Sequence, residues 1–205
     1  MPTLSEKEKM ILNRTDHTIL SSDTTASHIR LLCEEGLVFQ TASVCVPPIF
    51  VRDAVDFLNN KLPVCTVIGF PMGYQPVETK VFETKKAIED GAEEIDMVIP
   101  VGLLKAGHPE MVREHILHVR RAAVDKILKV IIETSLLTKK EKIQMCRLVS
   151  ECDADYIKTS TGFSTGGATT EDVALLRRHV DRKVKVKASG GISSVEDALK
   201  LIEAG

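Results

Sequence analysis

The sequence is poor in the features that mark several classes of protein. Its 205 residues include five cysteines, an odd number with no Cys-x-x-Cys pair, which indicates reduced thiols in the cytoplasm and excludes a disulfide framework. A net charge of -2 and a pI near 6.3 leave no overall basic surface for nucleic acid, so small molecules are the expected partners. No apolar run approaches the roughly eighteen residues of a membrane helix, and the charged amino terminus lacks the apolar core of a signal peptide.

What the chain does contain is a regular alternation of short apolar segments with segments of helical period. The predicted strands are residues 15–20, 41–46, 64–70, 94–99, 128–133, 155–159 and 183–188. The predicted helices are residues 24–35, 49–59, 77–89, 109–123, 139–151, 170–180 and 195–204. Gly36 and Gly91 are predicted to end the helices that precede them. Strand–helix alternation throughout predicts an α/β fold with parallel strands.

The number of these units favours a barrel of the (β/α)8 TIM type over an open doubly wound sheet, because chemically interesting residues recur at many strand ends. Residues 1–205 are predicted to form a single domain with no linker. Seven units are visible and the sequence ends at Gly205, so we expect the eighth unit to be missing through C-terminal truncation. That expectation includes weaker folding than in a version with the eighth unit.

Two lysines stand at the ends of predicted strands. Lys158 leads into the loop Thr159-Ser160-Thr161-Gly162-Phe163, and Lys187 leads into Ala188-Ser189-Gly190-Gly191. Lysine is rarely buried unless it is paired or chemically employed. Since side chains alternate between the faces of a strand, Asp96 and Lys129 are predicted to point inward with both lysines. One acid and up to three lysines then share one mouth of the barrel.

Such a cluster suits amine chemistry. A lysine attacks a carbonyl only as the neutral amine, and a second ammonium about 4 Å away opposes its charge by roughly 4 kcal/mol at an effective dielectric of about 20. We therefore predict that Lys187 lowers the pKa of Lys158. Asp96 is placed to transfer protons during cleavage of a carbon–carbon bond.

These segments resemble those of the deoxyribose-phosphate aldolases, a family of class I aldolases with a (β/α)8 barrel. The collinear matches lie at residues 16–18, 43–46, 67–71, 94–98, 129–134, 157–162 and 186–192. The resemblance implies reversible cleavage of 2-deoxy-D-ribose 5-phosphate to acetaldehyde and D-glyceraldehyde 3-phosphate, without metal or organic cofactor. It implies a Schiff base on Lys158, perturbation of that lysine by Lys187 and proton transfer by Asp96.

The resemblance also implies a set of residues that bind substrate. Asp16 and Thr18 would line the site and Lys129 would support it, although the first two could instead brace the first strand. Backbone N–H groups of two glycine-rich loops would bind the phosphate. They belong to Gly162, Phe163, Gly190 and Gly191.

Two other functions stay open at this point. A different Schiff-base aldolase acting on another phosphorylated sugar would retain Lys158 without using acetaldehyde as donor. A catalytically idle barrel fragment, or a binding protein, would keep the residues without closing the site. A zinc site at His115 and His118 is disfavoured, because neither a carboxylate nor a thiolate motif stands beside them. The sequence leaves the oligomeric state undetermined and is compatible with a homo-oligomer.

Overall fold

The computed structural model describes residues 4–205, which contain one sheet of seven parallel strands in the order of the chain. The strands are β1 (Asp16–Thr18), β2 (Ser43–Val46), β3 (Val64–Ile68), β4 (Glu94–Val98), β5 (Ile127–Ile131), β6 (Tyr156–Lys158) and β7 (Lys185–Lys187). Every strand overlaps its predicted range, and only β5 begins outside it, by one residue. The predicted α/β fold with parallel strands is confirmed.

Helices connect the strands, as parallel pairing of successive strands requires. They are α1 (Glu6–Leu12), α2 (Ala26–Phe39), α3 (Val51–Leu58), α4 (Val77–Glu89), α5 (Val101–Lys105), α6 (Pro109–Ala122), α7 (Lys139–Glu151), α8 (Thr170–His179) and α9 (Val195–Ala204). The bounds of α4, α7 and α9 equal the predicted ones. Short helix α5 and helix α1, which precedes the first strand, were not predicted. None of the helices among residues 4–205 is long and apolar enough to span a membrane.

The sheet is curled toward closure. Lys187 on β7 and Asp16 on β1 stand at opposite ends of the strand order, yet the Lys187 Nζ lies 2.9 Å from the Asp16 Oδ2. A flat sheet would hold these two strands far apart, since neighbouring strands are spaced about 4.8 Å. The inward-facing side chains of all seven strands are therefore gathered around a common axis.

Alternation along the strands separates a polar interior from an apolar exterior. In β4 the side chains of Ile95 and Met97 are fully buried in the main hydrophobic core with helix residues such as Ile116, whereas Asp96 between them points inward. In β5 Leu128 and Val130 join the same core, and Lys129 points inward. The main apolar core thus lies between the sheet and the helices, and the barrel interior holds the charged groups beside a small apolar cluster of Cys45, Cys65 and Val67.

Gly36 corrects one predicted boundary. It does not end α2, which continues to Phe39 and is closed by Gln40 in the left-handed conformation. A Cβ at Gly36 would lie 2.9 Å from side-chain carbons of both Leu62 and Val44. Glycine is needed there because the helix packs closely on β2, not because the helix stops. Gly91, with φ of 103°, does follow the end of α4 as predicted.

Candidate active site

Lys129 lies at the centre of the buried charge cluster. Its Nζ is 2.6 Å from Glu94 Oε2, 2.8 Å from Asp96 Oδ1 and 3.2 Å from Asp16 Oδ2. The side chain is 3 % exposed. Strands β4 and β5 place Asp96 and Lys129 side by side in register, so the contact follows from the sheet itself. One ammonium therefore neutralises charge from three carboxylates.

Lys158 occupies the carboxyl end of β6 and is paired with the same aspartate. Its Nζ lies 2.5 Å from Asp96 Oδ2, and the Lys158 side chain is 9 % exposed. Asp96 itself is fully buried and accepts from Lys129 on one oxygen and Lys158 on the other. The predicted convergence of these three residues is confirmed in the geometry.

The effect of Lys187 on the pKa of Lys158 stays a prediction, and in this arrangement the nearer Asp96 has the larger influence. Burial acts to lower the pKa of Lys158, but the negative charge of Asp96 outweighs it and raises the pKa above the ordinary value. Lys187 is in register with Lys158, but its ammonium turns instead to Asp16 at 2.9 Å and to the Arg14 carbonyl at 3.4 Å. The prediction considered the neighbouring ammonium and left out the nearer carboxylate.

The carboxylates respond differently to this environment. Burial alone would raise the pKa of Asp96, but the Lys129 and Lys158 ammoniums hold it well below its usual range. Burial likewise opposes the charge of Asp16, whose pKa is nonetheless lowered by Lys129 and Lys187. For Glu94 burial prevails over Lys129, and the pKa is raised. Glu94 is thus the carboxylate of this cluster that is easiest to protonate.

Two glycine loops frame the mouth above Lys158. Gly162, Gly190 and Gly191 have φ values of 83°, 83° and 74°, a region that favours glycine. Their backbone N–H groups meet no acceptor among residues 4–205. The N–H of Phe163 is already used, since it donates to the Thr161 hydroxyl at 3.1 Å. Three of the four predicted N–H groups are therefore free for an anion, and the Phe163 N–H is not.

Hydrogen bonds tie the two loops together. The Ser189 N–H donates to the Thr159 hydroxyl at 2.9 Å, and that hydroxyl donates to the Ser189 carbonyl at 3.1 Å. The Ser189 hydroxyl donates to the Ser160 carbonyl at 2.6 Å. The loops that follow Lys158 and Lys187 are consequently positioned as one unit.

Aromatic and hydroxyl groups complete the rim. The rings of Phe163 and Phe70 meet edge to face with centroids 5.3 Å apart, and Phe163 stays half exposed. Thr18 is exposed, and its hydroxyl donates to the backbone carbonyl of Asp16 at 2.7 Å. This hydrogen bond is the one expected if Thr18 braces the first strand. The hydroxyl nevertheless lies near the mouth.

Comparison with known proteins agrees with this architecture. Residues 10–205 match the model of the DeoC/LacD family of aldolases. The chain belongs to that family. The deoxyribose-phosphate aldolase of Clostridioides difficile strain 630 is 50 % identical over 197 residues, covering 96 % of this chain and 90 % of that protein. The corresponding enzyme of Streptococcus agalactiae strain A909 is 48 % identical, with coverage of 96 % and 88 %.

Solved structures give the same result. A protein from Coccidioides immitis, assigned as a deoxyribose-phosphate aldolase, superposes with a TM-score of 0.94 at 42 % identity and covers 100 % of this chain and 82 % of its own. The tetrameric deoxyribose phosphate aldolase of Aeropyrum pernix superposes with a TM-score of 0.90 at 31 % identity, with coverage of 97 % and 85 %. The predicted family and its TIM-type barrel are confirmed.

Two cysteines of this aldolase lie beside the charge cluster. Donor atoms of Cys45, Cys65 and Asp96 fall within 4.8 Å of one another, a grouping that could in principle hold a metal. The Lys129 ammonium, however, lies 3.2 Å from the Cys65 Sγ and 2.8 Å from Asp96. Burial also raises the pKa of the Cys65 thiol well above its usual value. A cation would have to displace an ammonium and deprotonate a buried thiol, so the donor set does not favour a metal.

Sequence reasoning missed three residues of the site and its surroundings. Glu94 is inward-facing because it stands two positions before Asp96 on the same strand, a signal the sequence did contain. Lys80 on α4 is fully buried, and its Nζ donates to the carbonyls of Gly73 at 2.6 Å and Val98 at 2.7 Å. Burial lowers its pKa to about 8. Glu133, just after β5, accepts hydrogen bonds from the loop that follows Lys158.

Proposed function

We propose that this aldolase cleaves 2-deoxy-D-ribose 5-phosphate reversibly to acetaldehyde and D-glyceraldehyde 3-phosphate through a Schiff base on Lys158. The observation that carries the proposal is the buried pair of Lys158 Nζ and Asp96 Oδ2 at 2.5 Å, beneath two glycine loops with free N–H groups. The named relatives support the choice of substrate.

Formation of the Schiff base requires the neutral amine. The ion pair with Asp96 favours the charged lysine, so the reacting amine is a minor species that forms when one proton passes from Lys158 to the carboxylate across their tight contact. The amine then attacks the C1 aldehyde of the open-chain sugar. Loss of water leaves a protonated imine with the positive charge that the ammonium had carried.

Cleavage follows from that charge. The imine draws electrons from the C2–C3 bond as the C3 hydroxyl loses its proton, which releases D-glyceraldehyde 3-phosphate and leaves an enamine on Lys158. We assign the transfer of protons to Asp96, acting directly or through a water molecule. Protonation of the enamine at C2 and hydrolysis release acetaldehyde and restore the lysine.

The remaining residues receive supporting roles in the proposal. Lys129 keeps Asp96 ionised, and Lys187 holds Asp16 at the mouth. The free N–H groups of Gly162, Gly190 and Gly191 bind the phosphate, because convergent backbone N–H groups form an anion site without a cationic side chain. Thr18 and Phe163 line the entrance.

Location and assembly belong to the same proposal. The five cysteines are free and buried, which suits a reducing cytoplasm. A homo-oligomer is proposed from the tetrameric Aeropyrum pernix relative alone.

Trapping of the Schiff base tests the proposal. The protein is incubated with acetaldehyde, reduced with borohydride and mapped by peptide mass spectrometry, with Lys158→Met and Lys187→Met treated in parallel. We expect an ethyl group on Lys158 in the unmodified sequence and in Lys187→Met, and none in Lys158→Met. An ethyl group on Lys187 would reverse the two roles, and no adduct in folded protein would refute the mechanism.

A further inference from the structure

Glu133 holds an unusual position two residues after the end of β5. Its backbone φ is 54° in the left-handed region, which is uncommon for a residue other than glycine and costs on the order of 1 kcal/mol or more. The residue is only 4 % exposed. A strained, buried acid persists only where the surrounding structure holds it in place, so its contacts indicate what it does.

One carboxylate oxygen of Glu133 fixes the loop that begins after Lys158. Glu133 Oε2 accepts from the Thr161 N–H at 3.1 Å and from the Thr161 hydroxyl at 2.5 Å. The same hydroxyl accepts from the Phe163 N–H at 3.1 Å. A continuous chain of hydrogen bonds therefore runs from Glu133 through Thr161 to Phe163, on either side of Gly162.

The other oxygen is not used by the fold. Glu133 Oε1 is buried without a hydrogen-bond partner among residues 4–205, and so are the nearby Thr134 Oγ1 and Ser160 Oγ. An unsatisfied buried acceptor is costly. A site chosen for stability alone would avoid this cost, for example with an apolar side chain.

We propose that Glu133 is a positioning residue that, through Thr161, sets the loop of residues 159–163 so that the Gly162 N–H meets the substrate phosphate while Lys158 meets the aldehyde. This inference rests on the proposed function and assigns a determinant of specificity for it. Glu133 does not contact the phosphate itself, because its carboxylate would repel a second anion. Its effect reaches the substrate only through the loop.

The role predicts a dependence on the phosphate group. When the loop shifts, a phosphorylated substrate loses both its anchor and its alignment, whereas unphosphorylated 2-deoxyribose has no anchor to lose. A misplacement of about 1 Å costs on the order of a hundredfold in rate. A purely structural brace would instead lower both activities together with the melting temperature.

The experiment compares Glu133→Ala, Glu133→Gln, Thr161→Val and the Glu133→Ala/Thr161→Val double variant with the parent protein. Retro-aldol rates are measured with 2-deoxyribose 5-phosphate and with 2-deoxyribose, alongside thermal melts. Glu141→Ala is the matched control. Glu141 also accepts from a threonine N–H and hydroxyl, those of Thr138 at 2.7 and 2.9 Å, but it does so at the cap of α7.

We expect Glu133→Ala to lower kcat/KM for the phosphorylated substrate about a hundredfold, mostly through KM, and for 2-deoxyribose by less than about tenfold. Glu133→Gln should retain most of the activity, because its amide oxygen accepts the same two hydrogen bonds. The effects of Glu133→Ala and Thr161→Val should not add, since both break one chain of contacts. Glu141→Ala should leave the substrate preference unchanged.

Equal losses on both substrates, a Glu133→Gln variant as impaired as Glu133→Ala, or additive effects would each overturn the inference. If Glu133→Ala fails to fold, Glu133→Gln and Thr161→Val decide the question through the same substrate ratio. Failure of the proposed function is a separate result. A parent protein without activity on 2-deoxyribose 5-phosphate refutes that function and this inference with it, whereas an active parent with an unchanged Glu133→Ala variant refutes only the inference.

Discussion

Replacement of Lys129 by methionine is the sharpest test of the buried charge network. The substitution keeps the length and apolar stem of the side chain and removes the ammonium that contacts Glu94, Asp96 and Asp16. Asp96 and Asp16 keep Lys158 and Lys187 as partners, but Glu94 loses the cation 2.6 Å away and has no other ion partner among the described residues. Loss of one member of a buried ion pair costs about 3–5 kcal/mol. In a domain of this size that corresponds to a fall of roughly 6–20 °C in the melting temperature.

The deficit should depend on pH with a defined sign. The pKa of Glu94 is already raised by burial, and without Lys129 it rises further. A carboxyl whose folded pKa exceeds its unfolded value favours folding at low pH and loses that contribution as the pH rises through the folded pKa. The stability of Lys129→Met relative to the parent should therefore be poorer at pH 8 than at pH 5.

Urea unfolding followed by circular dichroism at both pH values measures this difference. Lys126→Met is the matched control, because Lys126 also pairs with a glutamate at 2.8 Å but at the surface, where Glu93 is 57 % exposed. Such pairs contribute about 0–1 kcal/mol. If Lys129→Met costs no more than Lys126→Met, or if its deficit shrinks toward pH 8, the argument from the buried network is wrong.

Two further substitutions test the packing and polar contacts around the site. Lys80→Met leaves two buried carbonyls without a donor and should lower the free energy of unfolding by about 1–3 kcal/mol near pH 7. Because burial lowers the pKa of Lys80 to about 8, the stability of the parent relative to this variant should rise between pH 8 and 10. Urea titrations that show no such rise would contradict the lowered pKa. Gly36→Ala places a Cβ 2.9 Å from Leu62 and Val44 and should cost about 1–3 kcal/mol of stability through overpacking. The control Gly102→Ala has no atom within 4 Å of the added Cβ and should not destabilise the protein. Equal melting temperatures for the two variants would refute the packing argument.

The inward direction of a side chain could be predicted where a charged residue stands between apolar residues on one strand. Asp96 stands between the apolar Ile95 and Met97, so its direction could be inferred from the sequence alone. The same rule placed Lys129 and Lys158 inward. Alternation does not show which charged groups lie nearest to one another, because a lysine ammonium on its flexible side chain can contact any of several partners. The influence of Asp96 on the pKa of Lys158 was left out for that reason.

Lys80 and Glu133 show a different limit. Lys80 lies on an amphipathic helix, where a lysine normally indicates a solvent-exposed face, and its burial depends on two carbonyls from other segments. Glu133 lies two residues beyond the end of β5, and its partner Thr161 is 28 residues away along the chain. Local patterns carry no information about such pairs. Only the closeness of strand ends in a parallel sheet indicates that they meet.

The charge balance of the barrel interior helps to explain why Lys158 can react there. Asp16, Glu94 and Asp96 supply three negative charges, and the ammoniums of Lys129, Lys158 and Lys187 supply three positive ones in contact with them. On the proposed mechanism the protonated imine replaces the Lys158 ammonium without changing this count, because attack on the aldehyde releases only water. Asp96 thus faces a cation before and after Schiff-base formation. The buried network need not reorganise its charges at that step, which keeps its electrostatic contribution to the barrier small.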